Sequence, residues 1–310
     1  MFIKLTFYRF IVLAAMLAAI QYSGAQSATP APSGAAAGLP ETKGLTETES
    51  IEGTLNSGDN ALKLDSAVGW DFNKHFGVSV GVPLYFVHVS SSTTTGAVPT
   101  TTPSYSNNGI GDVYLGLALR LPNPILDYSS TLTGAGPTGN TKKGLSTGRA
   151  TVDWDNRIEH SFGNLSPFLD GGLGNTVRDT RLYVRPFTSL GFVAHLEEGA
   201  EYGLHRHFSV GGSFFEIVPV GNQKVFSKLV KAGQAVAAGK GKNNRVFETA
   251  AVTSGSGLTR ENGVNTWIGF EPTPVWRLEL GYTRSMTYAL DSFTFNVSMN
   301  VAKLLRSKSN

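Results

Sequence analysis

The sequence predicts an all-β fold, a transmembrane antiparallel up-and-down β-barrel of about 12 strands. Apolar and polar residues alternate with a period of two along much of the chain, as in a strand whose two faces meet different surroundings. Short and long connections alternate between these segments. Beyond the N-terminus no apolar run is long enough for a membrane helix, so a chain that crosses a bilayer must do so as a closed barrel.

The composition narrows the function classes. Charged residues make up 16% of the 310 residues and the formal net charge is +3, whereas soluble domains carry about 25% charged residues. A nucleic-acid-binding protein needs a concentrated basic face, which this balance does not suggest. The chain has no Cys, which rules out disulfides and thiolate metal sites.

The N-terminus resembles a secretory signal. Lys4 and Arg9 precede the apolar run 10–20, and small residues follow up to Ala25. This order is typical of a signal peptide, and the run is shorter than the roughly 20 residues of a membrane anchor. The predicted domains are a signal peptide at 1–25, a flexible periplasmic leader rich in Ala, Pro, Ser and Gly at 26–44, the β-barrel at 45–305 and a periplasmic tail at 306–310.

The strand pattern is clearest near the C-terminus, where every odd residue from Phe293 to Val301 is apolar and every even one is polar. Comparable segments have the length of tilted barrel strands, roughly 9–11 residues. The predicted strands are 46–56, 61–73, 76–90, 109–121, 126–137, 148–161, 165–176, 187–204, 208–220, 263–272, 276–288 and 291–303.

Connections of two lengths separate these strands. Short turns on one rim and long loops on the other are typical of outer-membrane barrels, with the short turns and, for an even strand number, both termini in the periplasm. The short links are 73–75, 122–124, 163–164, 205–207 and 273–274, and the long ones are 91–108, 138–147, 177–186 and 221–262.

Aromatic residues cluster near the short turns. Amphipathic rings settle at a membrane interface, which favours an aromatic belt over the ordinary enrichment of aromatics in strands. A soluble β-sandwich also alternates, but it requires neither a signal peptide nor unequal loop lengths. The belt residues are Trp70, Phe72, Phe76, Tyr128, Phe162, Tyr202, Phe208, Phe270 and Trp276.

Charged residues on the polar phase of the strands are the candidate functional residues. They either line a narrow channel or pair across it as a structural network. Acids outnumber bases among them, so an open channel is expected to favour cations or neutral solutes weakly. The predicted lumen-lining residues are Lys63, Asp65, Asp71, Asp112, Arg120, Asp153, Asp155, Arg157, Glu159, Asp170, His195, Glu197, Glu201, Glu271, Arg277 and Glu279.

The long connection 221–262 is rich in Lys and Arg, and 225–238 is predicted to form a short helix. Three roles remain open for this connection. It folds inward as a constriction, contacts lipopolysaccharide phosphates outside, or stays a solvated loop.

Other motifs carry little chemistry. Residues 233–240 resemble a phosphate-binding loop, but the spacing is one residue too long and no Ser or Thr follows the Lys. His205 and His207 sit in a turn without a third metal ligand nearby in the sequence. His160 and Ser161 are the nearest match to an outer-membrane phospholipase, yet adjacent strand residues point to opposite faces. We therefore expect no catalytic residues, metal or cofactor.

A family resemblance adds to this interpretation. Residues 109–116 (GIGDVYLG), 137–139 (PTG) and 219–226 (PVGNQKVF) resemble segments of the outer-membrane proteins grouped under the phenol-degradation meta-pathway label. The resemblance spans roughly residues 60–303 and lies in the order of weak motifs. It implies transport of hydrophobic or aromatic compounds across the outer membrane.

Together these features predict an outer-membrane, porin-like pore or passive transporter for small solutes, with membrane lipid and lipopolysaccharide as surroundings and no nucleic-acid partner. The alternatives are a non-conducting structural barrel and, less favoured, a lipid hydrolase.

Overall fold

The structure is a computed structural model. It describes residues 44–55, 59–89, 92–94, 100–102, 104–123, 126–180, 182–185, 187–228, 251–254, 260–273, 275–287, 290–300 and 304. The predicted signal peptide, residues 26–43 of the leader and the tail lie outside these ranges. Within them, no helix has the length and apolar character of a membrane-spanning helix.

Twelve strands form one closed antiparallel barrel, which confirms the predicted fold class and strand number. Each strand pairs with its neighbours in the chain, and the last pairs with the first. The strands are β1 (Gly44–Leu55), β2 (Asp59–Asp71), β3 (Phe76–Val89), β4 in two segments (Tyr105–Ile110 and Tyr114–Leu121), β5 (Asp127–Ala135), β6 (Thr151–Glu159), β7 (Leu165–Gly174), β8 (Val193–His205), β9 (Phe208–Pro219), β10 (Glu261–Thr273), β11 (Trp276–Ser285) and β12 (Leu290–Asn300).

The two rims of the barrel differ as predicted. Gly44, Asp71 and Asn300 lie at one rim, together with the tight connections that join β2 to β3, β4 to β5, β6 to β7, β8 to β9 and β10 to β11. We call it the short-turn rim. In the first of these turns, Asn73 Oδ1 accepts hydrogen bonds from the backbone N–H groups of His75 and Phe76 at 2.7 and 2.9 Å, the local bonding for which Asn is favoured in turns. The opposite, long-loop rim carries the longer insertions.

The strand register sorts side chains onto two faces. On β11, Leu278, Leu280 and Tyr282 alternate with inward Glu279 and Thr283. Leu280 is 67% exposed although it is apolar, whereas Glu279 is 3% exposed although it is charged. This inversion of the soluble-protein pattern is what a lipid-facing exterior and a polar interior require. Exposed aromatics near the short-turn rim include Trp70, Phe72, Phe76, Phe162, Tyr202 and Phe208.

Polar groups on the exterior mostly bond to one another. Tyr128 donates to Asn156 Oδ1 at 2.7 Å, and Trp154 Nε1 donates to Ser130 Oγ at 2.8 Å. These pairs join β5 to β6 on the outward face and reduce the cost of polar atoms in lipid. Glu198 differs, because its charged side chain is exposed on the outward face of β8. The register of β8 is unbroken around it, so no bulge turns Glu198 inward.

Three details of the predicted strands are wrong. Residues 187–204 do not form one strand, because the chain breaks at Gly191 (φ 156°) and Phe187–Leu190 pairs elsewhere. Gln223–Ser227 is a strand, whereas a helix was predicted from residue 225; residues 229–238 of that helix lie outside the described part. The fourth strand begins at Tyr105 and is interrupted between Ile110 and Tyr114.

The β1–β12 seam closes the barrel, and Gly53 is critical to it. Gly53 pairs with Phe295, whose ring covers it on the outward face. A Cβ at Gly53 would fall 1.8 Å from Phe295 Cε1, whereas a Cβ at outward Gly134 would meet its nearest atom at 3.9 Å.

We therefore expect Gly53→Val to lower the free energy of unfolding by about 1–3 kcal/mol, the usual cost of forcing extra atoms into a packed site. Gly134→Val is the matched control and should change it by less. Urea unfolding in detergent micelles, followed by tryptophan fluorescence, measures both. Equal losses in the two variants would contradict the importance of the seam.

Candidate functional site

The predicted lumen residues largely share one face of the sheet. Register pairs Asp170 with Arg157 on one side and with Glu197 on the other, all pointing inward. The same phase holds around the barrel. It places Lys63, Asp65 and Asp71 on β2, Arg120 on β4, Asp153, Asp155, Arg157 and Glu159 on β6, Asp170 on β7, His195, Glu197 and Glu201 on β8, Glu271 on β10, and Arg277 and Glu279 on β11.

Asp112 differs from the other predicted residues. It lies in the interruption of β4 and not on a strand. Its carboxylate accepts the backbone N–H of Gly139 at 2.9 Å. Asp112 therefore ties the β5–β6 connection to the wall.

An acid-rich cluster lies on β6, β7 and β8. His195 Nε2 is 3.2 Å from Asp153 Oδ1, and its Nδ1 is 3.7 Å from Asp155 Oδ1. Arg157 reaches Asp170 at 3.5 Å. The side chains of His195, Asp155 and Asp170 are 24%, 21% and 19% exposed although they face inward. Solvent therefore reaches them from within the barrel.

Arg277 is the centre of a second cluster. Its guanidinium contacts Glu271 at 2.8 Å, Glu279 at 3.2 Å and Glu201 at 3.3 Å. Trp267 Nε1 also donates to Glu201, at 3.0 Å. Arg277 thus contacts three carboxylates that β8, β10 and β11 bring together.

Smaller ion pairs occupy β1, β2 and β4. Arg120 contacts Asp71 at 2.7 Å, and Lys63 contacts Glu52 at 2.6 Å. Tyr114 donates to Asp65 at 2.9 Å. Many of the inward charges are therefore paired, and several remain open to solvent.

The inward face of β3 to β5 is lined differently, mainly by small residues. Ser79 faces Gly116, and Gly116 faces Thr133 on the next strand. Two of its glycines accommodate larger neighbours, since a Cβ at Gly81 would fall 2.3 Å from Tyr114 Cζ and one at Gly77 2.4 Å from Asp71 Oδ1. We call this wall the small-residue wall, and its members are Gly77, Ser79, Gly81, Gly116, Ala118, Ser129, Thr131 and Thr133.

The described parts of two long connections lie in the lumen at the long-loop rim. We call the described residues 177–190 and 223–228 the inner plug. Phe187–Leu190 pairs with Gln223–Ser227, which pairs in turn with Ala251–Ser254. These strands form a sheet of their own, separate from the barrel sheet. Inner-plug residues such as Leu182, Arg185 and Lys228 are 0–2% exposed.

Apolar contacts fix the plug to the wall at several points. Leu182 packs with Phe168 and Trp267 and approaches Gly281, where a Cβ would fall 2.8 Å from Leu182 Cδ2. Val184 lies in a second cluster with Tyr85 and Val87. A third cluster joins Val177, Phe187 and Val225 of the plug to Val193, Phe215 and Ile217 of the wall.

Asp179 is the main polar link between plug and wall. Tyr85 donates to its Oδ2 at 3.1 Å, Lys63 Nζ lies 3.8 Å from Oδ2, and Lys228 Nζ lies 3.7 Å from Oδ1. Burial alone raises the pKa of the Asp179 carboxyl, but Lys228 and Lys63 outweigh burial and leave that pKa below its usual value. Burial lowers the pKa of the Lys228 ammonium to about 8, against the opposing effect of Asp179.

A second polar link joins Arg185 to Glu261 on β10. Arg185 Nε is 3.4 Å from Glu261 Oε2, and the side chains are 0% and 1% exposed. Within the described residues, Arg185 Nη2 and Glu261 Oε1 have no hydrogen-bond partner. This buried pair is therefore only partly satisfied.

The suspected hydrolase pair does not form a catalytic dyad. The His160 ring packs against Phe162 with centroids 4.2 Å apart. Ser161 Oγ lies 2.9 Å from Ser166 Oγ, and Ser166 faces inward on β7. Nucleophilic activation needs the base beside the hydroxyl, and here the two side chains have different partners.

Sequence reasoning missed the charged residues outside the strands or on the weakest one. Glu52 lies on β1, whose alternation is poor, and Asp179 and Arg185 lie in a connection with no period. The sequence signal for an inward connection was the apolar run 182–184, because a loop on the surface does not require apolar residues there.

The Arg277 cluster gives a stability test. Removing one partner of a buried pair costs about 3–5 kcal/mol because an uncompensated charge remains. Arg277→Met leaves three carboxylates together, whereas Arg120→Met leaves Asp71 alone. We expect the larger loss of unfolding free energy in Arg277→Met, measured by urea unfolding at neutral pH. The reverse ranking would contradict the role of Arg277.

Comparison with known proteins supports the fold. No family model and no curated protein matches the sequence. A COG4313 outer membrane channel from Pseudomonas putida F1 has a similar structure, with a TM-score of 0.51, 11% identity, and coverage of 90% of this chain and 99% of that one. The NanC porin (TM-score 0.44, 9% identity, 81% and 98% covered) and the KdgM porin (0.41, 9%, 81% and 98%) are more distant. At these identities the likeness shows a barrel fold of the kind seen in outer-membrane channels.

Proposed function

We propose that this chain is an outer-membrane pore or passive transporter for small solutes. The observation that carries the proposal is the solvent exposure of inward-facing charges such as Asp155, Asp170 and His195. A barrel that served only as a packed scaffold would have no need of wet charges inside.

The location follows the same reasoning. An apolar exterior requires lipid around the barrel, and among the membranes of a cell the bacterial outer membrane is the usual host of such barrels. The proposed orientation puts the short-turn rim in the periplasm and the long-loop rim outside, near lipopolysaccharide. Export by the predicted signal peptide completes this proposal.

The lumen charge favours cations or neutral solutes. On the inward phase of the strands, the bases are Lys63, Arg120, Arg157 and Arg277, apart from His195. The carboxylates on the same inward phase, among the strand residues whose side chains are described, are Glu52, Asp65, Asp71, Asp127, Asp153, Asp155, Glu159, Asp170, Glu197, Glu201, Glu261, Glu271 and Glu279. This excess makes the potential along the strand wall of the lumen negative, which attracts cations and repels anions.

The finer solute class rests on the resemblance to the phenol-degradation meta-pathway family, which implies hydrophobic or aromatic compounds. In this structure, Phe168, Trp267 and Leu182 form one of the apolar clusters inside the barrel. Liposome swelling with a panel of sugars, amino acids and neutral aromatics tests both levels of the proposal. Entry no faster than into empty liposomes for every solute argues against transport.

A non-conducting structural barrel is the second candidate. The specific observation in its favour is the inner plug, which occupies the lumen at the long-loop rim. Conductance in planar bilayers separates the candidates, because only a pore gives discrete current steps.

Ion selectivity gives a sharper test. In a KCl gradient, we expect the sign of the reversal potential to show that K⁺ is more permeant than Cl⁻. Neutralising Asp155, Asp170 and Glu197 to amides should reduce the cation-to-anion permeability ratio several-fold, because these carboxylates face the lumen.

Asp291→Asn is the matched control for that test. Asp291 is exposed, pairs with Arg284 on the outer face, and should leave the ratio unchanged. Anion selectivity in the unmodified protein would contradict the proposed electrostatics.

A further inference from the structure

We propose that the inner plug is a displaceable gate, latched by Asp179 and Arg185 to the barrel wall, and that solutes pass when the latch opens. This inference rests on the proposed pore function and adds the step that controls it. It starts from the separation of two hydrogen-bonded sheets inside one chain.

The plug leaves the wall intact when it moves. Its strands, Phe187–Leu190 and Gln223–Ser227, pair with each other and the second pairs with Ala251–Ser254; in the described structure none of the three pairs with a barrel strand. Each barrel strand pairs with two others over at least part of its length, and β12 closes onto β1. Among the described residues, segment Tyr105–Ile110 of β4 pairs with β3 alone. No wall hydrogen bond of the sheet has to break for the plug to be displaced, so the barrel keeps its lipid-compatible closure.

The plug also lies where it controls passage. Its tip residue Leu182 reaches Gly281 near the middle of β11, and Val184 donates its backbone N–H to Thr54 Oγ1 on β1 at 3.0 Å. Asn107 on β4 donates to the Lys228 backbone O at 2.8 Å. These contacts reach the wall at β1, β4 and β11.

The latch consists of groups that regain water when it opens. Asp179 is bound to Lys63 and Tyr85 of the wall, and Arg185 to Glu261. A buried ion pair offsets its desolvation only when geometry and hydrogen bonds are complete. Release lets each charge recover hydration, so these pairs set the position of the plug without making it permanent.

Incomplete bonding makes the closed position easier to leave. Arg185 Nη2, Glu261 Oε1 and Gln223 Oε1 are buried without a hydrogen-bond partner among the described residues. Each such atom carries a desolvation cost that opening removes. Apolar clusters around Leu182, Val184 and Phe187 oppose opening. The free-energy difference between the closed and open states is therefore the balance of lost apolar packing and regained hydration.

A reversible disulfide between plug and wall tests the gate directly. Because the chain has no native Cys, no competing disulfide can form. Thr54→Cys with Val184→Cys joins wall to plug at positions already in contact. Ser213→Cys with Asn265→Cys is the control; it joins β9 to β10 within the wall, where the Asn265 side chain already donates to Ser213 Oγ at 3.1 Å. Mass spectrometry after oxidation verifies each disulfide.

We expect oxidation to lower the conductance of the plug–wall pair at least tenfold in planar bilayers, and reductant to restore it. The control pair should conduct equally in both states. A verified plug–wall disulfide that leaves conductance unchanged overturns the gate while leaving the pore function standing.

A release variant gives an independent measurement. Asp179→Asn removes the carboxylate that separates Lys63 from Lys228, and should raise the open fraction several-fold. The same variant carrying Val184→Cys should react several-fold faster with a membrane-impermeant maleimide, because Val184 is 2% exposed in the closed state. Asp291→Asn with Val184→Cys is the matched control and should match the unmodified background.

The outcomes separate the two proposals. Faster labelling with no current in any variant means that the plug moves but that the pore function is wrong. Current in the unmodified protein with equal labelling in both charge variants overturns the latch alone. Silence in both measurements overturns both proposals.

Discussion

Closure of the hydrogen-bonded sheet is the constraint on which the rest of this structure depends. In lipid, an unpaired backbone N–H or C=O group costs several kcal/mol, so a spanning sheet must have no edge. The register from Thr48↔Asn300 to Leu55↔Phe293 satisfies this requirement between the first and last strands. Once the sheet is closed, alternate side chains have only two places to go, outward to lipid or inward to the lumen.

The inward face then has to accommodate charge in a confined volume. Arg277, Arg157 and Lys63 each contact carboxylates from more than one element. Pairing offsets part of the cost of burial and rigidifies the wall. In the proposed pore, the carboxylates in excess over these cations make the wall of the lumen negative, and the proposed selectivity depends on them.

Different interactions hold the wall and the plug. The wall derives its integrity from strand pairing, whereas the plug is held by apolar packing and by a few buried polar contacts such as Asp179 with Tyr85. Packing and ion pairs can be exchanged for water more readily than an edge-free sheet can be opened in lipid. A rigid barrel with a separately bonded plug is therefore a physically consistent arrangement for a gated passage.

Alternation along the chain was sufficient to predict the barrel, its twelve strands and the inward phase of residues such as Asp155 and Glu197, because a period of two reports directly which face a side chain occupies. The alternation did not predict the plug. Residues 187–190 continue the alternation, yet Gly191 turns them into another sheet, and 225–227 carry a helix-compatible pattern but pair as a strand. Contacts such as Arg185 with Glu261 join residues far apart in sequence. Only the tertiary structure decides them, since the free energy of an inward loop comes from the surface it covers and not from its own periodicity.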